Sequence, residues 1–230
     1  MNTNEIEGPK RVLLSWSSGK DSAWALHVLR QDPTLEVVGL LTTVNAEADR
    51  VAMHAVRRTL LEAQAESVGA ALSIVDLPWP CSNEQYQALM GAEVERQLAA
   101  GVQAVAFGDL FLEDIRGYRE EQLAGTGLEP LFPLWGRPTQ VLAEEMIAAG
   151  TRAILTCVDP KQVPAALAGR DYDAALLSEL PERADPCGEN GEFHTFVTYG
   201  PAFRAPIDVE PGEVVERGGF VYADLVASEV

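Results

Sequence analysis

The chain has 230 residues, of which 47% are hydrophobic and 7% aromatic, and a formal net charge of −18. This suits one sizeable globular domain, alone or with a small appendage, and the negative field disfavours nucleic acid as a partner. No apolar run reaches membrane-span length, the start Met1–Lys10 is too polar for a signal peptide, and three cysteines form neither a CxxC pair nor a zinc spacing, which together predict a cytoplasmic protein without a disulfide framework.

The first element is an apolar run, Arg11 to Ser15, that turns abruptly into Ser17-Ser18-Gly19-Lys20-Asp21-Ser22 and then into a helix-forming stretch, Ala23 to Arg30. Strand, small-residue loop and helix is the order that presents backbone N–H groups to an anion at the positive end of a helix dipole. Lys20 adds a mobile full charge. Walker A is excluded because Asp21 follows Lys20, and the dinucleotide fingerprint because the loop holds only Gly19. An ordinary capped helix would need only one of these hydroxyls. The hexapeptide resembles the PP-loop of the adenine nucleotide alpha-hydrolase superfamily, whose members split ATP between its alpha and beta phosphates.

Glu36 to Asn45 is a continuous apolar run ending in small polar residues, which predicts a strand buried on both faces. A helix is expected from about Val51 to Val68, stopped by Gly69, and a third strand from Leu72 to Leu77. Ser82 and Gln85 form a capping box for a helix whose stripe, Tyr86, Met90, Val94 and Leu98, runs at four-residue steps. A short strand, Ala104 to Phe107, ends at Gly108-Asp109, and an acidic helix, Leu112 to Ala124, follows. Pro130 and Pro133 assign Leu128 to Trp135 to a sheet edge. Gln140 to Ala149 reads as a helix and Arg152 to Val158 as a further strand. This alternation predicts an α/β fold: an open parallel sheet with helices on both faces over residues 1–159. A smaller C-terminal α+β portion, residues 160–230, holds a hairpin at Gly218-Gly219.

Ligands of an open parallel sheet bind beyond the carboxyl ends of its strands, which here are Ser17 to Ser22, Thr42 to Asn45, Gly108-Asp109 and Thr156 to Asp159. Asp109 beside a triphosphate is costly unless it binds Mg²⁺ or orients a substrate, although Gly108-Asp109 also reads as a plain turn. His54 falls near the same rim. A second cluster, Asp185 to Thr195, crowds Asp185, Cys187, Glu189, Glu192 and His194 among glycines, more ionisable groups than a loop built for stability gathers; a solvated acidic turn is the bland alternative.

Taken together, the two loops resemble the diphthine–ammonia ligase family. Its Gly-Glu-Gly-Gly-Glu-Phe-Glu-Thr-Phe-Val stretch is matched here by Gly188-Glu189-Asn190-Gly191-Glu192-Phe193-His194-Thr195-Phe196-Val197, and Gly108-Asp109, Pro133-Leu134-Trp135 and Gln64-Ala65-Glu66 add to the likeness. The resemblance implies a Rossmann-like PP-loop fold and an ATP-dependent, AMP-forming ligase that adenylates a carboxylate and amidates it. It implies that Ser15, Ser17, Ser18, Gly19, Lys20, Asp21 and Ser22 hold the ATP phosphates, and that Thr43, Val44, Asn45 and His54 border the adenosine. Gly108 and Asp109 would lie by the phosphates, and Glu189, Glu192, His194 and Thr195 on the acceptor side, with Lys20, Asp109, Glu189, Glu192 and His194 as the catalytic candidates. ATP with Mg²⁺, a small-molecule or protein-borne carboxylate acceptor, and ammonia or an amine are the expected ligands, with no membrane; a homo-oligomer stays open. Ser18, Asn190 and His194 depart from the family's Gly, Gly and Glu. Two rivals remain: a PP-loop pyrophosphatase modifying RNA with Cys187 as sulfur carrier, and a non-catalytic ATP-binding module.

Overall fold

The structure, a computed structural model, describes residues 8–51 and 55–228. Five parallel strands make the first sheet: β1 (Lys10–Ser15), β2 (Leu35–Asn45), β4 (Ala71–Leu77), β5 (Ala104–Ala106) and β6 (Glu129–Leu131), in the order β4-β2-β1-β5-β6. A two-residue strand inside the charged connection, β3 (Arg50–Val51), pairs antiparallel with the end of β2. Helices α1 (Lys20–Leu29), α2 (Arg58–Val68) and α5 (Thr139–Ala148) cover one face, and α3 (Asn83–Ala99) and α4 (Glu113–Leu123) the other. The expected α/β architecture with helices on both faces is present.

Alternation divides the strands between two cores. Val12, Leu14, Leu40, Ala104 and Ala106 enter a large core with α1, α2 and α5. Their neighbours Leu13, Leu41, Val105 and Phe107 enter a smaller cluster under α3 and α4. Successive strand residues point to opposite faces, so one apolar run supplies both.

Arg152–Val158 is a correction to the sequence reading. This strand, β7, does not extend the parallel sheet. It lies in a second, antiparallel sheet ordered β8-β7-β10-β9, with β8 (Phe193–Tyr199), β9 (Val209–Arg217) and β10 (Phe220–Ala227). A central strand of either sheet is apolar on both faces, so its composition could not tell the two apart. Consequently Thr156 to Asp159 is not at the carboxyl edge of the parallel sheet. A short helix, α6 (Ala174–Glu179), capped by the Asp173 side chain, lies in the connection to β8.

The second sheet packs into the large core and is also tied on by polar contacts. Asp224 of β10 accepts hydrogen bonds from Arg50 and from the Nε and Nη2 of Arg57. Burial works against the Asp224 carboxylate, but the two guanidiniums overcome it and hold its pKa down to about 2. Fully buried Gln64 of α2 accepts from Trp16 Nε1 at 2.9 Å and donates to the carbonyls of Ser18 (3.1 Å) and Val197 (2.7 Å). One amide thereby joins the end of β1, the loop after it and β8.

Candidate active site

The Ser17–Ser22 turn sits where β1 ends and α1 begins. Gly19 occupies the N-cap in an extended conformation, and no side chain caps the helix. Ser17 Oγ accepts from Gly19 N at 3.3 Å and bonds Ser22 Oγ at 3.2 Å, while Ser22 Oγ donates to Gly19 O at 2.9 Å. The loop is thus braced by its own hydroxyls. Ser18, buried, adopts a left-handed φ of 69°, and its shielded hydroxyl has no hydrogen-bond partner. That conformation suits glycine and costs another residue about 1–2 kcal/mol.

Gly108 is favoured by contact, not by turn geometry. A Cβ there would lie 3.0 Å from Asp21 C and 3.1 Å from Ser22 N, tighter than side chains ordinarily pack, so glycine lets the chain after β5 rest closely on the first turn of α1. Across from them, β8 closes on the same turn. Lys20 N donates to Thr195 Oγ1 at 3.1 Å, and Val197 N to Ser18 O at 3.0 Å. The two stretches singled out in the sequence therefore meet.

They open on a cleft of about 770 Å³ that runs beneath α3 and α4. Its polar end holds Ser17, Lys20, Asp21, Asp109, Glu189 and His194, and its other end is lined by Met90, Val94, Leu98, Val105 and Leu123. Ser15, Thr43, Gly108 and Thr195 also line it. Val44 and Asn45 do not: Val44 is in the large core, and Asn45 Oδ1 accepts from Glu47 N and Ala48 N, both at 3.0 Å, in a local turn. His54 lies outside the described residues.

Lys20 is buried beneath the loop. Its Nζ bonds the Asp21 carboxylate at 2.9 and 3.1 Å and the Cys187 carbonyl, between the Tyr172 and Phe193 rings at 5.4 and 5.5 Å. Burial favours its neutral form, yet Asp21 outweighs burial and holds its pKa above the ordinary lysine value. Glu189 reaches across to accept from Leu110 N at 2.7 Å. Burial, aided by Asp21 and Asp109 and opposed by the Leu110 N–H, lifts its carboxyl to about 7. His194 is driven the other way, to about 4, by burial and by the Lys20 charge. Burial also raises Asp109, against the pull of Arg119.

Glu192 plays another part. It is buried outside the cleft lining, and its Oε1 accepts from Asp185 N at 2.8 Å and Asn190 Nδ2 at 3.1 Å, folding the 185–192 loop on itself. Cys187, also buried, donates its thiol to Thr139 O at 3.4 Å, and burial pushes its pKa up to about 12.

Two comparisons with known proteins place the chain in a family. The diphthamide synthase N-terminal domain matches residues 10–129, and the diphthamide synthase C-terminal domain matches residues 138–224. The chain belongs to the diphthamide synthase family. Curated relatives are the diphthine–ammonia ligases of Mus musculus, 30% identical over 136 residues (54% of this chain, 48% of the relative), and of Danio rerio, 33% identical over 132 residues (54% and 51%). The chain spans about half the length of the curated relatives it matches. The family stretches quoted from the sequence, around Ser17–Ser22, Gly108-Asp109 and Gly188–Thr195, are the ones that line or brace the cleft.

The aromatic and cationic wall of the cleft was missed from sequence: Tyr86 from α3, with Tyr118 and Arg119 from α4. The Tyr86 stripe looked like core. A signal was available in Ser73, a polar residue amid the apolar β4. Gln97 Nε2 and Arg96 Nη2 both donate to Ser73 Oγ at 3.0 Å, and Gln97 also bonds Glu93. The buried polar residues Glu93 and Gln97 of α3 therefore lie toward β4, and its apolar stripe packs only in part on the smaller cluster and lines the cleft with the rest.

Proposed function

We propose that the chain is an ATP-dependent, AMP-forming amide ligase that adenylates a carboxylate and transfers ammonia or an amine to it. The observation that supports this most is the joining of two loops, 175 positions apart at Lys20 and Thr195, over one cleft that holds the N-terminus of α1 at one end, where Gly19 offers no capping side chain, and titratable groups beside it. The α1 N-terminus and Lys20 would hold the phosphates and neutralise charge growing on the leaving pyrophosphate. Glu189, with a pKa near neutrality, is suited to take a proton from the incoming ammonium. His194, near 4, is neutral at pH 7 and suited to place the acceptor.

The donor set fits Mg²⁺ only as a shared ligand. Among the described residues no group of three or more His, Cys, Asp or Glu is placed to hold a metal ion. Mg²⁺ commonly takes one or two carboxylates and completes its shell from phosphate and water. Asp21 would hold it, and the ion would supply further neutralisation of the phosphates.

The sequence reading divides a nucleotide part from an acceptor-side part at residues 159 and 160; we place the division earlier, between residues 129 and 138, where the two matched domains adjoin. A cytoplasmic setting belongs to the proposal; no described helix is long and apolar enough to cross a membrane. The buried Cys187 thiol counts against the sulfur-carrier rival, because the thiolate is the reactive form. Lys20→Ala should abolish carboxylate-dependent pyrophosphate release while the fold persists by circular dichroism. Undiminished release in that variant removes the loop from the mechanism.

A further inference from the structure

Among the described residues lining the cleft, the cationic side chains are Lys20 and Arg119. Lys20, which the ligase reading gives to the phosphates, already bonds Asp21 and Cys187, whereas Arg119 is not closed on anything comparable. Its Nε lies 3.5 Å from Asp109 Oδ2, outside a good hydrogen bond. Both atoms are shielded from solvent, and neither has a hydrogen-bond partner. Some of the chain's other arginine–carboxylate pairs close through one nitrogen, as Arg116 does to Glu120 at 2.8 Å and Arg50 to Asp224 at 2.7 Å, and others as two-point forks. Arg96 binds Glu93 at 2.9 and 2.7 Å, Arg170 binds Glu179 at 3.1 and 3.2 Å, and Arg57 holds both oxygens of Asp224. The pair in the cleft is longer than any of these, and its two facing atoms are buried without a hydrogen-bond partner.

The surroundings of Arg119 say what would fill the gap. Its guanidinium lies over the Phe107 ring, 5.0 Å from the centroid, and the side chain lines the cleft. Beyond it lie the apolar side chains of Met90, Val94 and Leu98, and Tyr86 stands near enough to feel its charge. An anion entering here meets Asp21, Asp109 and Glu189, so it needs a dedicated cation. A planar fork beside an apolar recess matches a carboxylate carried on an aliphatic arm.

We propose that Arg119 binds the carboxylate of the acceptor, with the recess under α3 taking its aliphatic arm. This rests on the ligase reading and adds to it the acceptor class and the residue that holds it. Asp109 is then the positioning residue that keeps the guanidinium aimed into the cleft.

The test uses the full chain with Mg²⁺ and α,β-methylene-ATP, whose bridge does not cleave, and titrates hexanoate, with hexylamine as control, by calorimetry. Hexanoate should bind the nucleotide complex and hexylamine should not. Arg119→Ala should weaken hexanoate by at least about tenfold, the scale of a lost charge-assisted hydrogen bond. Arg119→Lys should weaken it less, because an ammonium keeps the charge without the fork, and it serves as the test if the alanine variant fails to fold. Nucleotide affinity should change less than about twofold in either variant, a change too small to register as a lost hydrogen bond. Equal hexanoate binding by both variants and the parent overturns the assignment, as does a parent that takes the nucleotide but no hexanoate. Loss of nucleotide affinity with hexanoate unchanged moves Arg119 to the phosphates and also overturns it. If the parent does not bind the nucleotide at all, the ligase reading fails first and this inference falls with it.

Discussion

The two faces of the parallel sheet are packed to different ends. On one face, α1, α2, α5 and the second sheet bury Leu14, Leu26, Leu40, Leu61 and Phe196 almost completely in a continuous core. On the other, a smaller cluster leaves Met90, Val94 and Leu98 half-buried around the cleft. The contrast arises from how α3 is turned: Gln97 bonds Ser73 of β4 and Glu93 is buried beside it, so the apolar stripe shares its contacts between the smaller cluster and the cleft. The sealed face fixes the loop from behind, through Gln64 and the β8 contacts, while the open face supplies the room. Rigidity and access are assigned to opposite sides of one sheet.

Substitutions matched across the two faces can break that comparison. Phe196→Ala, on the sealed side, should cost about 3–5 kcal/mol in chemical denaturation. Val94→Ala, on the open side, should cost about 1 kcal/mol or less, because a half-buried methyl pair loses little when removed. Similar costs at the two positions would mean that the second face is as tightly packed as the first.

The cleft side also predicts a pH signature. Glu189 has its folded pKa raised from the model-compound value of 4.5 to about 7, so the unfolded chain ionises first as pH rises. Its contribution to stability is present below about pH 4.5 and lost as pH climbs toward 7. Glu189→Gln should therefore flatten the stability profile between those limits and raise stability at pH 8 relative to the parent. A profile of unchanged slope would show that the carboxyl is ordinary.

The smallest expected effect is at the joint between the faces. Ser18→Gly should stabilise the fold by about 1 kcal/mol or less, since it relieves a left-handed φ of 69° and removes a buried unpartnered hydroxyl, offset in part by glycine's entropy. A destabilised variant would place an unrecognised partner on that hydroxyl.

How much of this could be read from the sequence follows from how local each signal is. The Ser17–Ser22 turn, the Ser82–Gln85 capping box and the Gly218-Gly219 hairpin are written in neighbouring residues, and the structure reproduces all three. Serine itself carries no mark of a positive φ, and the left-handed Ser18 was signalled only by its standing where the resembling family has Gly. Helix α1 begins at Lys20 instead of Ala23, since Gly19 serves as its N-cap. Helix α2 begins at Arg58 instead of Val51, because Arg50–Val51 is drawn into pairing with β2. The sheet to which Arg152–Val158 belongs depends on its distant partners at β8 and β10, which its own composition does not encode. The cleft's polar end was legible because two motifs carry it. Its apolar end was not, because an aliphatic stripe that lines a cavity has the same periodicity as one that lines a core.

The central claim is that a nucleoside triphosphate rests on the turn between β1 and α1. A crystal structure with Mg²⁺ and α,β-methylene-ATP tests it most directly. The account predicts phosphate oxygens within hydrogen-bond distance of the Asp21 and Ser22 backbone N–H groups. Phosphates bound elsewhere, with that turn touching only protein, would contradict it.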